Sequence, residues 1–322
     1  MSGTGAKSAY LSWLGAAASA EAMEAASPAY PDETGDLVIG YATGYAADLI
    51  APFVRSLRSV HAGPVALVVD DRPDVVALLS EYGVEALLHH KAEAWEPHPA
   101  MARFGAAVQL LARWPNVGCV LLCDVRDVVF QAPPFSPAPH KLETFIEYED
   151  GALGDHSFNM KYLRALAGDA MAAAIADRPC LCVGTVLGPR AEVLRFCRTV
   201  MMLAAIPRSE IGGAFGTDQA ACNLAVHRGL IEAEIVPNYG RVATLGMTPG
   251  ASLTFQDGKV VNPDGSTSAI VHQHDRHPHL ADPVHDLWGA GSVRQERVQP
   301  KTAADRRAKL RQSIARRLPE LR

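Results

Sequence analysis

Two aspartates leave the end of an apolar run in the segment Val120-Leu121-Leu122-Cys123-Asp124-Val125-Arg126-Asp127. Burying an unpaired carboxylate is expensive, so packing alone explains Asp124 and Asp127 poorly. A hard divalent cation explains them well, because Mg2+ and Mn2+ sites use one or two carboxylates and complete the sphere with substrate phosphates. Arg126, standing between them, suits pairing with one carboxylate or reaching a phosphate. The same residues also fit a capped loop with an Asp–Arg salt bridge. In a continuous strand this spacing would turn Asp124 and Asp127 to opposite faces, so the chain must bend after Asp124.

Histidines gather later, at His272, His274, His277 and His279, with Asp275 and Arg276 among them. Such a composition permits a zinc site, but no cysteine accompanies it. Strand alternation puts His272 and His274 on one face. One imidazole joining two carboxylates is the economical metal set. His272 is the preferred ligand because it directly follows the apolar Ala269-Ile270-Val271, with His274 the alternate. The six cysteines form no C-x-x-C pair, and several sit in apolar runs, which predicts reduced, buried, structural thiols.

The elements that position these residues read as strand alternating with helix. Residues 36–43, 63–71 and 84–90 are short apolar runs, and 117–125 is the near-continuous apolar run of a strand buried on both faces. Between them, 47–60 places Leu49, Phe53, Leu57 and Val60 on one helical face. Residues 72–83 form a helix closed by Gly83, and 100–115 an amphipathic helix stopped before Pro115. These repeats predict an α/β sheet with ligands beyond the carboxyl ends of its strands. Further on, 141–150 and 180–190 read as strands, 191–206 and 217–229 as helices, and 251–266 as a hairpin turning at Asp257-Gly258.

Composition narrows the function classes. Apolar residues make up 48% and charged residues 20%, values of a globular enzyme with a full core. A net charge of −5 argues against nucleic acid as a partner. No apolar run reaches the ~18 residues of a spanning helix. Missing too are the P-loop, the G-x-G-x-x-G of dinucleotide binders and the G-x-S-x-G elbow. Residues 1–35 read as a leader that loosely imitates a signal peptide, and 291–322 as a basic amphipathic tail suited to an anionic membrane surface.

The ordered set VIGYATGYAADLIAPFVRSL, MARFGAAVQLL, VLLCDVRDVVFQ, CVGTVLG, TDQAACNLAV and IVHQHDRHP resembles GT-A-fold glycosyltransferases that use nucleotide-diphospho-sugars, of the glycogenin and lipopolysaccharide galactosyltransferase type. The resemblance implies a Rossmann-like GT-A domain over 36–290, with a mixed, mainly parallel sheet flanked by helices. It implies that Tyr41, Ala42, Thr43 and Tyr45 line the nucleotide, and that Arg103, Arg126 and Arg276 meet its phosphates or sugar. By the same resemblance Gly184 and Thr185 pass beside the donor sugar, and Asp218 and Gln219 flank the transferred sugar. Asp124, Asp127 and His272 would hold Mn2+ or Mg2+. The implied reaction is retaining sugar transfer, from a UDP-sugar before a GDP-sugar, to a saccharide or glycolipid acceptor in surface polysaccharide synthesis. Its place would be the cytoplasm or the inner membrane face. Three departures stand out: two residues rather than one between the aspartates, Cys182 where the family often has asparagine, and no lysine after the histidine loop. A nucleotidyltransferase or metal-dependent phosphohydrolase is the alternative for paired aspartates on such a sheet.

Overall fold

A computed structural model describes residues 9–17, 29–90, 95–205 and 213–289. Helix α1 covers residues 9–17, and its Tyr10 is buried and donates to the Met201 carbonyl at 2.8 Å. The repeating half follows as β1 (Leu37–Tyr41), α2 (Ala47–Val60), β2 (Val65–Val69), α3 (Pro73–Glu81), β3 (Glu85–Leu88), α4 (Pro99–Arg113) and β4 (Cys119–Cys123). Then come β5 (Val128–Phe130), β6 (Glu143–Ile146), α5 (Ser157–Ala167), α6 (Asp169–Ala173), β7 (Leu181–Pro189), α7 (Arg190–Ala204) and α8 (Thr217–His227). The chain continues through β8 (Glu234–Val236), β9 (Val242–Thr244), β10 (Thr254–Gln256), β11 (Lys259–Val261), β12 (Ile270–His272) and α9 (Pro278–Trp288).

The central sheet has seven strands in the order β3-β2-β1-β4-β7-β6-β8. Strands β3, β2, β1 and β4 pair in parallel, β7 runs antiparallel to both β4 and β6, and β8 is parallel to β6. The protein is therefore α/β, with a mostly parallel sheet flanked by helices. Period-2 alternation builds both faces. Leu37 and Ile39 of β1, with Val120 and Leu122 of β4, pack with α4, α5, α7 and α8. Val38, Leu121 and Cys123 point the other way, toward α2 and α3. Side chains that are apolar on both faces explain why these strands read as continuous runs rather than alternating ones.

A second sheet of three strands, ordered β5-β12-β9, carries the histidine segment. β12 is antiparallel to β5, with His272 opposite Val128, and parallel to β9, with His272 opposite Thr244. α9 covers this sheet through Leu280 and Val284. Ser56 Oγ on α2 accepts from the Phe130 amide at 3.1 Å. The β10-β11 hairpin turns at Asp257-Gly258 as expected, both residues having positive φ. Strands β5, β8 and β9 have three residues each, too short for a periodic signal, and α5, α6 and α9 were not foreseen.

No helix among the described residues is long and apolar enough to cross a membrane. The amphipathic reading of 291–322 lies outside the described residues. Of the six free cysteines, five are buried and Cys119 is half-buried.

Arg241, at the entry to β9, ties the small sheet to the large one. Its guanidinium donates to Glu143 Oε2 at 2.7 Å and Oε1 at 3.1 Å, and to the carbonyls of Pro134 and Pro137 at 2.9 and 2.7 Å. Both side chains are about nine-tenths buried. Removing one partner of a buried pair strands the other charge, at roughly 3–5 kcal/mol. Arg241→Met should therefore lower the urea midpoint with little change in slope, and Glu143→Gln added to it should recover part of the loss.

Candidate metal centre and cavity

β4 ends at Cys123, and the chain bends through Val125 and Arg126 before β5 starts at Val128. That bend overcomes the strand-face problem posed by the spacing of the two aspartates. The Asp124 amide donates to the Gly184 carbonyl at 2.7 Å, and the Gln273 amide to the Asp127 carbonyl at 2.8 Å. β7 and β12 thus hold the acidic turn from two directions. His272 Nε2 comes to 3.4 Å from Asp124 Oδ2 and 3.8 Å from Asp127 Oδ1. One ligand atom from each of the three residues lies within 4.8 Å of the others.

His272 is the histidine brought to the carboxylates, and His274 is not. The expectation that strand alternation aligns them fails because β12 stops at His272. Gln273 then turns left-handed at φ 61, and residues 274–276 form a 3-10 turn. His274 is buried, with neither ring nitrogen hydrogen-bonded among the described residues, and burial pushes its pKa down to about 4.

Three features of the chain suit a divalent cation here. His272 Nε2 is buried without a hydrogen-bond partner among the described residues, although it faces two carboxylates. Its Nδ1 meets Cys182 Sγ at 3.6 Å, so the ring orientation is set from behind. Gly184 leaves the space open: a Cβ there would stand 2.8 Å from both Asp124 Oδ2 and His272 Nε2. Two carboxylates and an imidazole are a donor set for Mn2+ or Mg2+.

Arg103 completes the charge arrangement. It is 4% exposed, and its guanidinium donates to Asp124 Oδ1, to Asp218 Oδ2 at 3.1 Å and to the Val183 carbonyl at 3.0 Å. α4 presents it from a start set by Pro99, where His98 accepts from the Ala100 amide. α8 presents Asp218 in its first turn. Gly216 precedes α8 at φ 89, a left-handed conformation in which a side chain would also meet Tyr162 at 2.9 Å. Asn223 docks α8 on β7, accepting from the Leu181 amide and donating to its carbonyl.

Burial penalises every charge in this group. For Arg103, Asp124 and Asp218 outweigh it, and the guanidinium stays charged. For Asp124, Arg103 and His272 outweigh it, and the carboxyl lies below its usual range. For Asp127 burial prevails despite His272, with Asp124 reinforcing it, and the carboxyl is raised. Burial also raises Asp218, against Arg103. His272 is raised well above its ordinary value, because Cys182, Asp124 and Asp127 outweigh its burial.

These groups line a cavity of ≈ 710 Å³ at the carboxyl ends of β1 and β4, within the range of small-molecule sites. Tyr41, Tyr45, Arg103, Asp124, Arg126, Asp127, Gly184, Asp218, Gln219, His272 and Arg276 all reach it. Arg126 lies 2.8 Å from Asp275 and 3.7 Å from Asp127. Ala42, Thr43, Thr185 and His274 do not line the cavity: Ala42 packs in the core and Thr185 faces Cys123 across the β4–β7 ladder. Sequence reasoning missed Glu147, which accepts from Gln219 Nε2 at 2.7 Å, and the aromatic rim of Phe158 and Phe215. A lone glutamate after a short strand carries no local signal.

Mn2+ should raise the melting temperature of the chain. Asp127→Asn and Gly184→Ala should each weaken Mn2+ binding on the order of 100-fold or more by calorimetry, the first by removing a ligand and the second by filling the ion's space. Protons compete for Asp127 and His272, whose proton affinities are raised. The thermal response to Mn2+ should therefore shrink as pH falls. No protein-family model and no curated protein matches this chain, so the site is read from its geometry.

Proposed function

We propose that the protein is a metal-dependent glycosyltransferase of the GT-A type, taking a nucleotide-diphospho-sugar in the cavity at the sheet's carboxyl edge. The observation that carries this reading is the convergence of Asp124, Asp127 and His272 on one wall of a cavity that arginines and Asp218 also line. The open, mainly parallel sheet supports it, because such sheets bind ligands beyond their strand ends.

Transfer of a glycosyl group leaves negative charge on a nucleoside diphosphate. A divalent cation on Asp124, Asp127 and His272 supplies Lewis-acid charge for that leaving group. Arg126 and Arg276 add positive charge at the same cavity, and Tyr41 and Tyr45 offer ring faces for the base. Asp218, fixed by Arg103, has a carboxylate suited to stabilise an electron-poor sugar carbon or to orient an acceptor hydroxyl. Gln219 is held by Glu147 and contributes hydrogen bonds to the sugar. The acceptor is a saccharide or glycolipid of surface polysaccharide synthesis. The enzyme works in the cytoplasm, with the basic segment 291–322 touching anionic lipid at the inner membrane face.

A thermal-shift screen of UDP- and GDP-sugars with and without Mn2+ tests the reading. A true donor at about 100 times its Kd should stabilise the fold by roughly 2.7 kcal/mol, and only with metal present. Turnover should release the nucleoside diphosphate as the sugar is transferred, and Asp218→Asn should lower kcat on the order of 100-fold. Release of a sugar 1-phosphate, with the nucleoside monophosphate passed to an acceptor or freed by water, would instead identify a nucleotidyltransferase or phosphohydrolase.

A further inference from the structure

The cavity has a second convergence of ligand-type side chains. Glu147, His156 and Cys180 each offer one donor atom, all within 4.8 Å of one another. Backbone pairing fixes them together. The Glu147 amide donates to the Cys180 carbonyl at 2.8 Å, continuing the antiparallel ladder of β6 and β7. His156, at the start of α5, follows a 3-10 turn whose Leu153 amide donates to the Arg178 carbonyl at 2.7 Å, two residues before Cys180. Glu147 and His156 line the cavity, and Cys180 stands fully buried behind them.

The hydrogen bonding around this cluster suits an anionic donor set. Asn159 Nδ2 donates to Cys180 Sγ at 3.0 Å, and Gln219 Nε2 donates to Glu147 Oε2 at 2.7 Å. The Cys180 thiol itself donates to Glu147 Oε2 at 3.3 Å. Sulfur and carboxylate are thus hydrogen-bonded to each other, with an imidazole beside them and amide N–H groups directed at both. Ligands in metal sites are held by this kind of outer hydrogen bonding.

We infer that Glu147, His156 and Cys180 form a second cation site, one that takes Zn2+ in preference to Mg2+ or Mn2+, with its fourth position open to the cavity. The donor sets of the two sites differ. Asp124, Asp127 and His272 offer oxygen and one nitrogen, whereas this set includes a thiolate, which selects borderline-soft Zn2+. Binding replaces the thiol proton: Cys180–SH and Zn2+ give a thiolate–zinc bond and a released proton. Three protein ligands and one position facing a cavity is the arrangement of zinc that binds a water or a substrate group. The cluster shares the Gln219–Glu147 contact with the reading proposed above but none of its metal ligands.

Titration of the full chain with Co2+ tests it, because thiolate ligation gives a sulfur-to-cobalt charge-transfer band that an oxygen and imidazole site lacks. The band should appear, be displaced by Zn2+ and resist excess Mg2+. Cys180→Ser should abolish it, and His156→Asn should weaken Co2+ binding at least about 10-fold. Asp127→Asn and Cys182→Ser should retain it. Absence of the band in the unaltered chain, its survival in Cys180→Ser, or its loss in Cys182→Ser would overturn the assignment. If Cys180→Ser fails to fold by circular dichroism, His156→Asn and Glu147→Gln, both on the cavity wall, decide the matter by the same band.

Discussion

The site depends on a single buried guanidinium. Arg103 stands almost wholly out of water between Asp124 and Asp218, residues that arrive from β4 and α8. Without it two carboxylates would face each other across a low-dielectric space, and one would take up a proton. With it, Asp124 is free to offer its second oxygen toward His272, while Asp218 faces the cavity with its charge compensated. A lysine could not serve, since holding two carboxylates and a carbonyl at once needs a planar fork of donors.

The geometry around that guanidinium is delivered by two sheets with different tasks. The large sheet supplies rigid strand ends: β4 stops at Cys123, and β7 passes close enough for Gly184 to accept from the Asp124 amide. The small sheet supplies one register. Pairing His272 with Val128 sets the imidazole beside Asp127, and a slip of one residue would turn it to the opposite face. Gly184 lets the two meet, because the space a Cβ would take is where His272 and Asp124 approach. A neutral small residue is therefore as much a part of this arrangement as Asp124 and His272.

The two metal-type clusters contrast hard and softer chemistry within one cavity. Gln219 and Asp218 are adjacent on α8, yet Gln219 reaches Glu147 of one cluster and Asp218 reaches Arg103, which pairs with Asp124 of the other. One turn of helix therefore couples both. Cys182 shows the same economy on β7: two residues from Cys180, it meets His272 Nδ1. Cysteines that read from their apolar surroundings as structural thiols thus meet both clusters, Cys180 just before β7 and Cys182 within it.

What the sequence determined by itself was the local part: alternating strands and helices, the two-faced burial of β4, the hairpin at Asp257-Gly258, and the acidic turn that ends a buried strand. These follow from periodicity and turn chemistry within a dozen residues. Helices α5, α6 and α9 escaped that reading, as did the short strands β5, β8 and β9. The sequence preferred His272 and kept His274 as alternate; tertiary structure set His274 aside, because Gln273 turns left-handed and ends the alternation. It alone joined Arg103 to Asp218 across 115 residues, and Glu147 to Cys180 across 33. Such meetings are set by strand register and helix docking, which a chain expresses only once its distant segments are paired.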